Sequence, residues 1–451
     1  MSIHPADSQI FGALYGTDEI RALFSDQAHL QFMLDVEAAL ARAESKHGLI
    51  PAPVADAIGR AARVENLRLD YIADSTRRVG YPVVALVNEL GRVAGAEAAR
   101  YIHLGATTQD ILDTALVLQL QRAFAIVRRD LIALARALAD RAVRFRNAPM
   151  AGRTHLQHAV PTRFGLKCAV WASPLVIHLE RLAQAVPRVL VVQLGGAAGT
   201  LAALGADGPA VVEALARELA LGVPDLPWHS RRDGFAETAA LLALICGSLS
   251  KFALDITLMM QTEVGEVSEP HDEGRGGSST MPQKRNPIAS EYILAATRTV
   301  HALVPVMLGA MIADHERATG PWQSESLALP QCVALTASAL AHARSIAEGM
   351  TVDTERMRRN LELTGGLIMA EAIATALVAP LGRAAAEAAV ARACNRSIAE
   401  GVPLATILRD DRELRPHLTD AEIDRLTNPN SYLGSAGAFV DRVVARVAAL
   451  G

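Results

Sequence analysis

Residues Gly276–Glu291 read GGSSTMPQKRNPIASE, in a chain otherwise filled by long runs of Ala, Leu and Val. Asn286–Pro287 marks a helix start, because Asn is a strong N-cap and Pro suits the first helical position, where its missing N–H is not needed. The helix that follows points its positive end, with unsatisfied N–H groups, back at the loop. Ser278 and Ser279 bring hydroxyls and Lys284 a cation, while Gly276 and Gly277 allow unusual backbone angles and close approach of a ligand. The combination is suited to an anion, above all a carboxylate, and Glu291 stands one turn into the helix. A solvated interhelical loop with an ordinary cap is the plainer alternative for this stretch alone.

Outward from the loop, the chain reads as helical. It has 451 residues, 51% of them hydrophobic but only 4% aromatic, a mix that favours tight helix–helix packing. Asp113 to Asn147 contains neither Pro nor Gly, and Leu116, Leu120, Phe124, Val127, Leu131, Leu134 and Leu138 recur at steps of three and four. That is one apolar seam on a helix of roughly 50 Å. Further long patterns at about 162–186, 234–265, 287–313 and 325–349 predict an elongated bundle, with seams long enough to continue into other subunits. Shorter helices broken by turns flank it. The expected organisation is an N-terminal helical domain over 1–110, a central long-helix bundle over 111–352 and a C-terminal helical domain over 353–451.

The net charge of -4 gives no field to attract nucleic acid. The N-terminus lacks the pattern of a signal peptide. The greasiest helix is interrupted by Glu237, Lys251 and Asp255, which fits a buried bundle helix and not a membrane span. Four scattered cysteines without a CxxC suit a reduced, cytoplasmic setting.

Two more segments carry polar groups at helix starts. In YIHLGATTQDILDTA, Thr107 and Asp110 fit the T-x-x-D capping box. In MAGRTHLQHAVPTRFGLKCAVW, Pro161 marks a helix start with His155 and His158 just before it. The two histidines have metal-ligand spacing, but no third His, Cys or Asp cluster supports them, and the lone E-x-x-H from Glu44 to His47 is half of what a di-iron bundle requires. No metal is expected. The Gly-rich LGGAAGTLAALGADG puts Leu194 in the first position of a G-x-G-x-x-G frame and has no βαβ context, so a tight turn between helices is expected in place of a dinucleotide site, and no cofactor is expected. Three loops rich in hydroxyl, imidazole and ammonium groups, each opening a bundle helix, suggest one shared carboxylate site.

The string GSSTMPQKRNP resembles the signature loop of the fumarase/aspartase superfamily, and HLGATTQDILDTA and GRTHLQHAVPTRFGLK resemble its two other signature regions in the expected order. FSDQAHLQFMLDVEAALARAE, QLGGAAGTLAALG, PWHSRRD, LMMQTEVGEV, HERATGPW and YLGSAGAF resemble the 3-carboxy-cis,cis-muconate cycloisomerase branch. The resemblance implies an all-α, three-domain fold whose long central bundle is shared in a homotetramer. It implies an enzyme that adds a substrate carboxylate across a double bond through an aci-carboxylate intermediate, acting on a small polycarboxylate. It assigns acid/base work at carbon to Ser278 and stabilisation of developing charge to Lys284 and Asn286. Thr107, Thr108, Gln157, Ser279 and Arg317 would grip the substrate.

His155 and Glu291 match the pair with which lyases such as adenylosuccinate lyase protonate a leaving group, a pair the cycloisomerase branch is expected to lack. Ser326 stands where adenylosuccinate lyase carries a phosphate-binding arginine, and TRRVGYPV lacks its histidine, so adenylosuccinate is not the expected substrate. The alternatives to a cycloisomerase are a lyase releasing fumarate from an N- or O-substituted succinate and a non-catalytic helical scaffold.

Overall fold

The computed structural model describes residues 4–271, 276–277, 280–281 and 283–450; Ser278 and Ser279 lie outside the described residues. The expected long helices are present as α2 (Thr108–Arg144), α3 (Phe164–Val189), α4 (Asp233–Met260), α5 (Ile288–Ala310) and α6 (Pro321–Gly349), while α1 (Asp26–Lys46), 21 residues long, lies in the N-terminal stretch where only shorter helices were expected. The seam on α2 is core: Leu120, Phe124, Val127, Leu131, Leu134 and Leu138 are all buried, whereas Leu116 is half-buried and lines a cavity.

A second expectation fails: Pro161 does not start a helix. It lies in β2 (Gln157–Arg163), which pairs antiparallel with β1 (Pro149–Thr154), and α3 begins only at Phe164. A proline is tolerated here because a two-stranded ribbon leaves an edge on either side, where a missing N–H breaks no ladder. Val267–Ser268 and Thr351–Val352 form a second, minimal pairing.

The chain divides into two compact units. The first comprises residues 1–131, 177–247 and 292–341. Within it, α1 is wedged against helices Ala52–Ala61 and Gly208–Leu219, and small residues along α1 (Ala38, Ala39, Ala41, Ala43) allow the close approach. This packing also buries Glu37 and Glu44, two turns apart on the same helix. Glu37 accepts a 2.6 Å hydrogen bond from His103 Nδ1, while neither oxygen of Glu44 has a hydrogen-bond partner. Burial, reinforced by the neighbouring Glu37 charge, pushes the Glu44 carboxyl up to about 9.

The second unit comprises 132–176, 248–291 and 342–451. Its C-terminal core is built by helices Ala370–Leu381 and Arg383–Glu400 with Leu404, Ile407, Leu408, Leu414 and Ile423, and Ala151 of β1 joins the same cluster. Arg153, also on β1, makes a bidentate pair with buried Glu266 (2.7 and 2.9 Å), and Asn360 Nδ2 donates to the same carboxylate at 2.7 Å. That triad ties the hairpin to the turn after α4.

By length and composition alone, α4, α5 and α6 could each cross a membrane. On α4, however, Asp255 is buried and accepts from Lys251 at 2.6 Å and from Trp171 Nε1 at 2.8 Å, a polar network suited to a protein interior.

A carboxyl held protonated in the fold and ionised when unfolded stabilises most at low pH, and this contribution is lost as pH rises from the unfolded value near 4.5 toward 9. Glu44→Gln keeps the shape without the titration. It should raise the thermal midpoint at pH 8 and change it little at pH 4.5; equal shifts at both pH values would show that Glu44 is ionised in the folded state.

Candidate active-site segments

The first segment opens α2 in the first unit. Asp110 is fully buried and accepts four hydrogen bonds. Its Oδ1 takes Gly195 N–H at 2.9 Å and His229 Nε2 at 2.6 Å. Its Oδ2 takes Gly196 N–H and Thr107 N–H, each at 2.9 Å. The Gly-rich turn is therefore an anion-binding nest whose anion is an internal side chain. Its glycines are required: Gly196 has φ +68°, and a Cβ on Gly195 would lie 2.7 Å from the His229 ring.

Only half of the expected capping box forms. Asp110 reaches back to the Thr107 N–H as predicted, but the Thr107 hydroxyl accepts from Arg317 Nη1 at 3.0 Å. The guanidinium is the stronger donor, because a charge-assisted hydrogen bond exceeds a neutral one. Arg317 also donates to the Ala197 carbonyl at 3.0 Å, so the structure brings Thr107 and Arg317 together over the Gly-rich turn. Thr108 is the first residue of α2.

Beneath them lies a buried ion cluster that spacing along the sequence did not reveal. Arg232 pairs bidentately with Asp113 (2.6 and 2.9 Å) and with Glu325 through Nε at 2.9 Å and through Nη2. Its guanidinium stacks 4.9 Å from the centroids of both Trp228 and Phe235. Burial alone would lower the Arg232 pKa, but the two carboxylates outweigh it and hold the group charged.

The second segment is the tip of the β1–β2 hairpin in the second unit. His155 and Leu156 are its two turn residues, with φ +50° and +63°. Such turns ordinarily use Asn-Gly. Two side chains in the left-handed region cost on the order of 1–2 kcal/mol each, a strain typical of functional positions. His155, Leu156 and Gln157 are all exposed.

The third segment is the loop before α5. Asn286 N–H donates to the Gly276 carbonyl at 3.1 Å, and Gly277 pairs with Arg285, so the two limbs are pinched together at the base. Gly276 has φ +67°, and a Cβ there would meet the Asn286 carbonyl at 2.9 Å. The helix end itself is not open to a ligand anion as the sequence suggested. Buried Glu269 accepts from Ala289 N–H at 3.0 Å, Ser290 N–H at 2.8 Å and Ser290 Oγ at 2.6 Å. An internal carboxylate thus takes the positive end of α5. Lys284 and Glu291 are exposed and Asn286 half-buried. Among the described residues no cluster of His, Cys, Asp and Glu could hold a metal ion.

These three segments, opening α2, α3 and α5, define a fold class with parallels among known proteins. The lyase family profile matches residues 14–301, and that of the adenylosuccinate lyase C-terminus matches 366–443. The 3-carboxy-cis,cis-muconate cycloisomerase of Pseudomonas aeruginosa is 47% identical over 100% of this chain and 99% of its own length. Nitrosuccinate lyase of Streptomyces davaonensis is 43% identical over 97% of this chain and 94% of its own. The crystal structure of 3-carboxy-cis,cis-muconate lactonizing enzyme from Pseudomonas putida superposes with a TM-score of 0.93 at 43% identity, covering 98% of this chain and 99% of that one. The chain belongs to the fumarase/aspartase superfamily of lyases.

Asp110→Asn preserves shape but replaces one acceptor by an amide nitrogen, leaving buried donors without partners. It should cost about 2–4 kcal/mol of stability and release Thr107 from its position. Denaturant unfolding checks this, and a change below about 0.5 kcal/mol would show that the carboxylate is not the organising group.

Proposed function

We propose that the protein is a 3-carboxy-cis,cis-muconate cycloisomerase. The observation that carries this reading is full-length identity with the cycloisomerase of Pseudomonas aeruginosa, 47%, together with the fit to the lactonizing enzyme of Pseudomonas putida. In the cyclising direction a substrate carboxylate oxygen bonds to one carbon of a C=C bond. The π electron pair moves to the other carbon and into the carboxylate attached to it, giving an aci-carboxylate. A proton from Ser278 then completes the addition at carbon. Lys284 and Asn286 meet the charge as it develops, while Thr107, Thr108, Gln157, Ser279 and Arg317 hold the substrate's carboxylates. Serine does this work only in a pre-organised site from which water is excluded, which gives a purpose to a loop pinched at Gly276 and Asn286.

The active unit is a homotetramer, in which different copies complete each site. In a single chain His155, Gln157, Lys284 and Glu291 are exposed. So are Leu244 and Leu254 on α4, Val306 and Leu308 on α5, and Leu327 on α6, apolar groups that a neighbouring copy would cover. The substrate is a small polycarboxylate; neither nucleic acid nor a membrane is a partner in this reading. A cytoplasmic setting accords with four free cysteines, of which Cys168, Cys246 and Cys332 are buried.

A second reading, a lyase that releases fumarate from a substituted succinate, is favoured by the presence of both His155 and Glu291 and by the 43% identity to nitrosuccinate lyase. The readings differ in what the leaving group needs. A lactone opens to a carboxylate, which is stable without a proton. An amine or alkoxide must be protonated in the transition state.

Ser278→Ala should lower turnover at least about 10²-fold with a much smaller change in KM, the usual scale for a positioned acid/base. His155→Asn should cost modestly, mostly in KM; a kcat collapse of about 10²-fold, not deepened by adding Glu291→Gln, would favour the lyase. Light scattering should find a tetramer, and a fully active monomer would refute the shared site.

A further inference from the structure

Within the first unit a recess of about 340 Å³ opens where α1, α2 and helix Gly208–Leu219 meet. Phe32, Asp35, Ala38 and Arg42, at steps of three and four, are the face that α1 turns to it. Its size suits a small organic molecule. None of the residues proposed to hold the substrate lines it.

The cations of this recess have donors to spare. Arg42 donates through Nε to Glu218 Oε2 at 2.6 Å, and Lys46 bonds the other oxygen of the same carboxylate. Glu218 is thereby satisfied by two cations, while the Nη groups of Arg42 remain open. Arg122, exposed on α2, has no hydrogen-bond or ion-pair partner among the described residues. A guanidinium fork matches the paired oxygens of a carboxylate or a phosphate, and two such forks line one recess.

Charge favours an anion. Arg42, Arg122 and Lys46 stand against only Asp35 and Glu218. Asp35 has no cation bonded to it; its Oδ1 accepts from Gln31 Nε2 at 2.8 Å. Burial raises the pKa of Asp35, and the Gln31 hydrogen bond and the charges of Arg42 and Arg122 oppose that rise. Both guanidiniums therefore act on one point of the recess. Phe32, Leu118 and Leu219 supply apolar wall beside it.

We propose that this recess binds a small organic oxyanion, a carboxylate or a phosphate ester on an apolar body. Arg122 and the Nη groups of Arg42 hold the head group, and Phe32, Leu118 and Leu219 receive the body. Such binding is independent of which reaction the enzyme catalyses.

Calorimetric titration of the full-length protein with phenyl phosphate, phenylacetate and 2-phenylethylamine tests this, since the three carry the same ring and differ in the charged group. Saturable binding of at least one anion is expected, and the tighter of the two identifies the preferred head group. The amine should bind at least about tenfold more weakly. Arg122→Gln, an exposed change, should weaken the anion about fivefold or more while turnover stays normal. Asp35→Asn removes the opposing charge that no cation bonds, and should tighten the anion about two- to fivefold. A disrupted fold would weaken binding in both variants, so the opposite signs separate recognition from damage. No saturation by either anion, equal binding of the amine, unchanged affinity in Arg122→Gln, or unchanged or weaker binding in Asp35→Asn would each overturn the proposal.

Discussion

The buried carboxylate of Asp110 is the constraint on which the first unit's functional edge depends. It collects N–H donors from the start of α2, from two consecutive glycines and from His229, four bonds on two oxygens. Three stretches far apart in sequence are held by one side chain. With Thr107's backbone secured in this way, its hydroxyl is available to Arg317, and Arg317 in turn closes over Ala197. A carboxylate satisfied on every lone pair can remain charged inside a protein, whereas one left without partners cannot. Glu44, buried with no hydrogen-bond partner, illustrates the second case and is pushed toward its neutral form.

The same device recurs in the second unit. Glu269 satisfies the first turn of α5, and Glu266 holds Arg153 and Asn360. Asp110 and Glu269 occupy backbone donors that a loop or helix end would otherwise present to a ligand. The side chains proposed to recognise substrate stand at the margins of these anchors: Thr107 and Arg317 beside Asp110, His155 and Gln157 at a strained hairpin tip, Lys284 and Asn286 on a pinched loop. The anchors are rigid and buried while the proposed chemical groups are half-buried or exposed, an arrangement suited to a site finished by other copies of the chain.

Much of this was legible in the sequence, for identifiable reasons. The α2 seam was readable because helical periodicity is a local property, and the Thr107–Asp110 pattern correctly marked the start of that helix. The β1–β2 hairpin was missed because Pro161 is an ambiguous sign: it fits a helix start and an edge strand equally, and the turn residues His155 and Leu156 are not the usual turn formers. The role of Glu269 was invisible because it caps a helix that begins nineteen residues later, past the whole signature loop. Arg232, Asp113 and Glu325 were beyond reach for the same reason, since nothing local links a residue at 113 to one at 325. The resemblance had flagged PWHSRRD and LMMQTEVGEV without assigning a role to any residue in them; in the structure His229, Arg232 and Glu266 carry their buried hydrogen bonds and ion pairs.

The chemistry proposed for this fold adds a carboxylate across a double bond instead of expelling fumarate. Purified protein mixed with 3-carboxy-cis,cis-muconate, followed by ultraviolet absorbance and by identification of the product, tests it most directly. The expected result is loss of the conjugated diene's absorbance, with one lactone formed per substrate consumed and no fumarate. An untouched diene, alongside fumarate released from a substituted succinate by the same preparation, would contradict it.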